Sequence, residues 1–145
     1  MSTVGGNSIT SNPLLETITF GPYVETIEAD ALRTNISLNI EEYPASLKYI
    51  GRSAFAYDVS LEHAILPDGL EYIGNDAFYM GRDGYNQIPR ESAIQEVYIP
   101  DSVTYLGVSA FEAVTGATGL YIGNGITYIN NQAFDDGRGY LDIDI

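Results

Sequence analysis

Hydrophobic residues return along the chain with a period of about 23 residues. The clearest marker is a small residue followed by a large apolar one, which is Ala-Phe in four copies and Ala-Leu in the first. Three of the four steps between successive pairs are 23 residues long, and one is 33. The pairs begin at Ala31, Ala54, Ala77, Ala110 and Ala133. Self-similarity at this period is typical of solenoid repeat proteins.

Apolar and polar residues alternate upstream of each pair, as in the run Glu96-Val97-Tyr98-Ile99. Such alternation predicts a strand with one buried face. Each alternating run is followed by a proline or a glycine, which lies ten residues before the alanine of the pair. A proline ends the strand because it cannot donate to the ladder. A second apolar pair comes next, which we expect on a second short strand or a helical turn. Since no unit can bury its apolar side alone, the units must stack into one continuous core of roughly six rungs.

The start of the repeat and its one long step set the predicted boundaries. We expect an N-terminal arm or partial cap over residues 1–13 and a solenoid over residues 14–145. The long step places an inserted loop at residues 81–92, "GRDGYNQIPRES". The second unit departs from the pattern in another way, because it carries Glu41 where an apolar residue is expected, so a local bulge is an open alternative there.

The best copies read "AILPDGLEYIGNDAF" at 64–78 and "VYIPDSVTYLGVSAF" at 97–111. A unit of the form L-x-x-V-x-I-P-x-x-V-x-x-I-G-x-x-A-F resembles the BspA-like, or Treponema-type, leucine-rich repeats. The resemblance covers residues 14–145 and implies a leucine-rich-repeat-like stack of about 23-residue units with mainly short parallel strands and helical turns. It does not extend to repeats with an asparagine or cysteine ladder. It implies binding rather than catalysis, since family members are typically long secreted or surface-attached adhesion proteins of bacteria and protists, and similar repeats occur in phage virion proteins.

The composition excludes several classes of function. Twenty acidic residues against six basic ones give a net charge of −14, which opposes binding to nucleic acid or to anionic lipid. The absence of cysteine excludes disulfides, thiolate zinc sites, iron–sulfur clusters and cysteine nucleophiles. His63, the single histidine, has no nucleophile and orienting carboxylate at a recognisable spacing. The C-terminal aspartates lack calcium-loop spacing. We therefore predict no enzyme activity, no cofactor and no metal site.

The predicted main strands present two outward columns of side chains. Stacking would place Ile65, Tyr98 and Tyr121 on adjacent rungs as an apolar–aromatic patch edged by acidic residues, which suits a protein interface. The alternative is a solvated sheet face on which β-forming residues merely suit strands. One column is Thr17, Ile40, His63, Glu96, Gly119 and Asp142, and the other is Thr19, Glu42, Ile65, Tyr98, Tyr121 and Asp144.

Two further features are candidate binding elements. The second apolar segment of each unit repeats a tyrosine, which predicts an aromatic ladder that either stacks structurally or offers a platform to carbohydrate or protein. The inserted loop carries Arg82, Tyr85 and Arg90, so it either contributes to binding or reflects tolerated length variation. The repeated tyrosines are Tyr49, Tyr72, Tyr105 and Tyr128, with Thr26 in the first unit.

The last predicted rung ends at Ile145 without a polar cap, so we expect this strand, with Asp142 and Asp144, to pack on another chain in a homo- or hetero-oligomeric assembly. The sequence shows neither a signal peptide nor a membrane-spanning segment. We accordingly expect a binding or structural module of a larger particle such as a phage capsid or tail, or otherwise a cytoplasmic or non-classically exported protein. The alternative is a surface adhesin that binds host protein or glycan.

Overall fold

A computed structural model describes residues 2–81 and 91–135, and the backbone of residues 142–144. These residues form short parallel strands joined by turns, and the described part of the chain contains no helix, so the helical turns expected between strands are ordinary turns. The strands are β1 (Thr3–Val4), β2 (Thr26–Ile27), β3 (Tyr49–Ile50), β4 (His63–Ile65), β5 (Tyr72–Ile73), β6 (Glu96–Ile99), β7 (Tyr105–Leu106), β8 (Gly119–Ile122) and β9 (Asp142–Asp144).

The strands build two parallel sheets on different sides of one coil. One sheet has the order β1-β2-β3-β5-β7 and the other has the order β4-β6-β8-β9. Paired residues lie one repeat apart, as in Thr26 with Tyr49, and the same register crosses the long step, where Tyr72 pairs with Tyr105. The predicted repeat solenoid of stacked units is therefore confirmed, and the ten extra residues leave the register of the strands intact.

The N-terminal residues join the same stack. β1 pairs with β2 in the regular register, with Thr3 opposite Thr26 and Val4 opposite Ile27. Further along, the backbone N–H of Ile9 donates to the carbonyl of Ala31 at 2.9 Å. This segment thus contributes a strand to the five-stranded sheet, while its role as a cap stays a prediction.

The second unit differs from its predicted register. Thr17 pairs with Asn39 rather than with Ile40, and the Ile40 side chain, which we expected to point outward, is fully buried. Glu41, at the position where the repeat calls for an apolar residue, is exposed. A shift of one residue exchanges the two faces of a strand. The shift lets Ile40 enter the core in place of Glu41, which avoids burial of an unpaired carboxylate.

The Ala-Phe pairs fill the centre of the coil. The rings of Phe55, Phe78 and Phe111 are fully buried and stack nearly parallel, with centroids 4.9 Å apart at both steps. Phe134 extends this phenylalanine column at 5.6 Å from Phe111. The spacing equals the distance between neighbouring strands, because each rung contributes one ring. Small alanines beside the rings, all fully buried at 54, 77 and 110, let the turns approach one another.

A second column is polar, and two of its three members, Asn35 and Asp58, are fully buried while Asn12 is exposed. The N–H of Asn12 donates to Oδ1 of Asn35 at 2.9 Å, and the N–H of Asn35 donates to Oδ1 of Asp58 at 2.7 Å. The amide of Asn35 also donates to the carbonyls of Ile9 and Leu32. This polar column, Asn12–Asn35–Asp58, satisfies turn backbone that is shielded from water. It escaped the sequence analysis because it has three members only and ends in an aspartate.

Candidate binding surface

The four-stranded sheet brings together the residues that the sequence analysis placed on one face. Ile65, Tyr98, Tyr121 and Asp144 occupy one register line across β4, β6, β8 and β9. His63, Glu96, Gly119 and Asp142 occupy the line two residues earlier. We name the patch formed by Ile65, Tyr98 and Tyr121 the strand face. Its residues lie on adjacent rungs, as their spacing predicted.

The strand face is apolar at its centre, and its two tyrosine rings stack on each other. Ile65 is 45% exposed, and the partly exposed rings of Tyr98 and Tyr121 stack at 4.8 Å with an angle of 10° between their planes. The hydroxyl of Tyr121 donates to Oδ1 of Asp101 at 3.2 Å. Glu96 is exposed beside the patch. The side chains therefore form a small ordered surface with an acidic border.

His63 lies at the border of this face and is engaged by backbone. Its Nε2 is 3.0 Å from the carbonyl oxygen of Glu41, and its Nδ1 accepts the N–H of Ile65 at 3.3 Å. Its ring also lies 6.0 Å from that of Tyr43, edge to face. With both nitrogens directed at backbone groups, the ring is oriented as part of the sheet surface rather than toward a reacting group.

The remaining predicted site residues cannot be placed in the same way. Arg82, Tyr85 and Arg90 of the inserted loop and the terminal Ile145 lie outside the described residues. For Asp142 and Asp144 the backbone alone is described, as part of β9. Their part in binding stays a prediction.

The five-stranded sheet carries the predicted tyrosine ladder. The rings of Tyr49, Tyr72 and Tyr105 stack at 4.6 and 4.7 Å with angles of 8° and 7° between their planes. Burial, followed by the neighbouring rings of Tyr49 and Tyr105, raises the pKa of the Tyr72 hydroxyl. Tyr128, the fourth tyrosine of the series, is 69% exposed. Within this tyrosine column each ring covers the face of the next, so the surface consists mainly of ring edges and hydroxyls.

The turns at the Ala-Phe pairs form a cleft that the sequence analysis missed. This turn-edge cleft has a volume of about 460 Å³ and is lined by charged and aromatic side chains. Its lining includes two small residues of one rung, Ser53 and Ala56. The residues that matter for its chemistry are Asp30, Arg33, Tyr57, Asp76, Tyr79 and Glu112. The signal was available only by comparing units, because one rung has two small residues at positions where its neighbours have large ones.

Within the described residues, no group of three metal-ligating side chains is close enough to hold an ion. The described residues also include no helix of the length and apolarity needed to cross a membrane.

Comparison with known proteins gives a consistent picture of the fold. The sequence profile of the BspA type leucine rich repeat region matches six copies, over residues 1–89 and 88–143. A crystal structure of a leucine-rich repeat protein from Bacteroides ovatus superposes with a TM-score of 0.84 at 23% sequence identity. The match covers 97% of this chain and 34% of that protein, so the chain spans about a third of the length of its structural neighbour. No curated protein matches the chain.

Proposed function

Because the chain belongs to the BspA type leucine-rich repeat family, we propose that it is a non-enzymatic protein-binding module whose partner docks on the strand face. The observation that supports this function most directly is the alignment of Ile65, Tyr98 and Tyr121 on three adjacent rungs. Solenoids present such continuous faces to other proteins, since each rung adds one row of side chains to the surface.

The composition of the strand face suits a protein partner. An apolar and aromatic centre with a charged border is the usual anatomy of a protein interface. Tyr98 and Tyr121 are already stacked, and Tyr121 is hydrogen bonded to Asp101, so little side-chain freedom would be lost on binding. Tyrosines are also frequent among the residues that dominate binding energy.

A finer proposal concerns the setting in which the module works. We propose that it is a structural part of a larger particle such as a phage virion, where the loop residues Arg82, Tyr85 and Arg90 and the strand with Asp142, Asp144 and Ile145 contact other subunits. Mass spectrometry of purified particles tests this setting. If the protein is absent from the particles and is recovered from a cytoplasmic or surface fraction, the proposed setting is wrong.

The alternative is an adhesin-type module that binds a host protein or a glycan. The tyrosine column was a candidate sugar platform, but its rings stack on one another and so leave the inner faces covered. A sugar that packs against an aromatic ring needs an open face. This geometry favours a protein over a glycan as the ligand of the tyrosine column.

The decisive experiment compares matched tyrosine variants in affinity capture from the native source. We expect the Tyr98→Ala, Tyr121→Ala double variant to lose the partners that the unaltered protein retains. The double variant Tyr49→Ala, Tyr105→Ala is the control, because it removes the same side chains from the other sheet. Both variants should keep the circular dichroism of the parent. If the first variant captures the same proteins in the same amounts, the strand face is not the docking site.

A further inference from the structure

The turn-edge cleft lies where hydrogen-bonded turns of successive rungs stack and one rung carries small side chains. The backbone N–H groups of Asp30, Ser53 and Asp76 each donate to a carbonyl of the next rung at 2.8–2.9 Å. All three have positive φ, between 54° and 56°, just before the alanine of their unit. Ser53 thus lies between two aspartates that point from equivalent positions two rungs apart, at roughly 10 Å by strand spacing. The result is a notch with acidic walls.

The chain itself shows how this notch holds a guanidinium group. The Arg33 guanidinium lies 5.2 Å from the centre of the Tyr57 ring, and its Nη1 is 3.5 Å from Oδ1 of Asp30. A carboxylate and an aromatic face are the two partners that a planar guanidinium binds best. Asp30 also pairs with Nη2 of Arg52 at 3.7 Å, so the carboxylate on this wall already has two cationic partners.

The opposite side of the cleft carries a second aromatic ring and two further carboxylates. Burial raises the pKa of the Asp76 carboxyl, and the nearby charges of Arg52 and Arg33 oppose this shift. Tyr79 lies edge to face with Tyr57 at 5.6 Å. Burial raises the pKa of the Tyr79 hydroxyl, and the nearby Glu112, Tyr57 and Asp76 raise it further. Neither Asp76 nor Glu112 forms an ion pair with another described residue. An aromatic ring and two carboxylates thus line this side of the cleft, and the ion pairs that Arg33 and Arg52 form are both with Asp30.

We infer that the turn-edge cleft receives an arginine side chain of a partner protein, with its guanidinium bound by Asp76 and Glu112 against Tyr79. Three carboxylates against two arginines leave the cleft acidic. The chain's net charge of −14 draws basic segments toward it. A guanidinium suits the site better than an ammonium because it binds two carboxylates in one plane while it packs on a ring. That this arginine belongs to a partner protein rests on the proposed protein-binding function. The cleft itself is a surface separate from the strand face.

Amide-resolved NMR titration with capped tripeptides tests the inference on the full chain. Gly-Arg-Gly should shift the amide signals of residues 76–80 and 112, Gly-Lys-Gly should bind more weakly, and Gly-citrulline-Gly should not bind. Equal affinity for the arginine and lysine peptides would overturn the guanidinium assignment. Shifts at the strand face alone would overturn the site while leaving the proposed function standing.

A matched pair of variants separates a site from diffuse charge attraction. The variant Asp76→Asn, Glu112→Gln should bind Gly-Arg-Gly about tenfold more weakly or worse, since it removes both charged acceptors. Asparagine tolerates the positive φ of residue 76, so the turn is preserved. The control Glu16→Gln, Asp68→Asn removes two exposed carboxylates elsewhere and should bind as the parent does. An equal loss in both variants would mean non-specific attraction and would sink the proposal.

Discussion

The interior and the surface of this coil carry columns of aromatic rings with almost the same geometry. Neighbouring rings of the phenylalanine column are 4.9 Å apart over residues 55–111, those of the tyrosine column are 4.6 and 4.7 Å apart, and Tyr98 and Tyr121 are 4.8 Å apart. The rung spacing alone imposes this distance. The ring spacing therefore does not distinguish the columns, which differ in what surrounds the rings.

The burial of the rings separates columns that stabilise the fold from rings that are available to a partner. Phe55, Phe78 and Phe111 are fully buried, whereas Tyr49 and Tyr105 are 39% and 38% exposed. A buried ring contributes its whole apolar area to folding, while a surface ring keeps part of its area for a partner. We therefore expect substitutions in the interior columns to change the free energy of unfolding, and substitutions on the strand face to change binding.

The largest effect should come from Phe78→Ala, in the centre of the phenylalanine column. The variant leaves a cavity between the rings of Phe55 and Phe111, so we expect it to lose about 3–5 kcal/mol of the free energy of unfolding. Urea unfolding followed by circular dichroism measures this loss. A loss no greater than that of Tyr72→Ala would contradict the division between interior and surface columns.

The polar column offers the second interior test, through Asp58. Burial raises the pKa of this carboxyl to about 8 from an ordinary value of 3.8, against the opposing effect of the Asn35 N–H. The folded state therefore binds the proton more tightly than the unfolded state does. The contribution of Asp58 to stability is greatest below pH 3.8 and falls as the pH rises to about 8, at most by about 1.4 kcal/mol per pH unit.

Replacing Asp58 by Asn should remove the loss of stability that the parent shows as the pH rises. The amide oxygen can still accept the N–H of Asn35, and the buried Oδ2, which has no hydrogen-bond partner, is replaced by an uncharged NH₂ group. We expect Asp58→Asn to be more stable than the parent by about 1–3 kcal/mol at pH 8 and to have a flatter stability profile between pH 4 and pH 8. Thermal unfolding over this pH range, with the exposed Asp68→Asn as control, measures it. Parallel profiles for the parent and Asp58→Asn would refute the assignment.

A smaller change is expected from Tyr72→Ala, which interrupts the tyrosine column at its middle ring. The substitution removes two stacking contacts but opens no buried cavity, so the loss should be about 0.5–1.5 kcal/mol. Tyr72→Phe keeps both contacts and serves as the control. A loss approaching that of Phe78→Ala would show that the surface column also holds the stack together.

The sequence predicts the columns better than it predicts the sites between them. The repeat register, read across the ten-residue insertion, predicts Ile65, Tyr98 and Tyr121 in one line, because parallel rungs bring equivalent positions of successive units into contact. The same rule failed at Ile40, where burying Glu41 would have cost more than shifting the register. The turn-edge cleft depends on differences among units, such as Ser53 between two aspartates, and periodicity averages such differences away.

The smallest effect should come from Tyr121→Phe, which gives the strand face a ring like those of the interior. The stack on Tyr98 remains, and the variant loses the partly exposed hydrogen bond from its hydroxyl to Asp101, so stability should change by no more than about 0.5 kcal/mol. Binding of the captured partner should change in a way that separates two roles of the ring. Retained affinity means that the partner contacts ring area, whereas a loss as large as that of the Tyr98→Ala, Tyr121→Ala variant means that it contacts the hydroxyl. If Tyr121→Phe lowers the unfolding transition as far as Tyr72→Ala does, the hydrogen bond from the Tyr121 hydroxyl stabilises the sheet. The strand face would then belong with the columns that stabilise the fold.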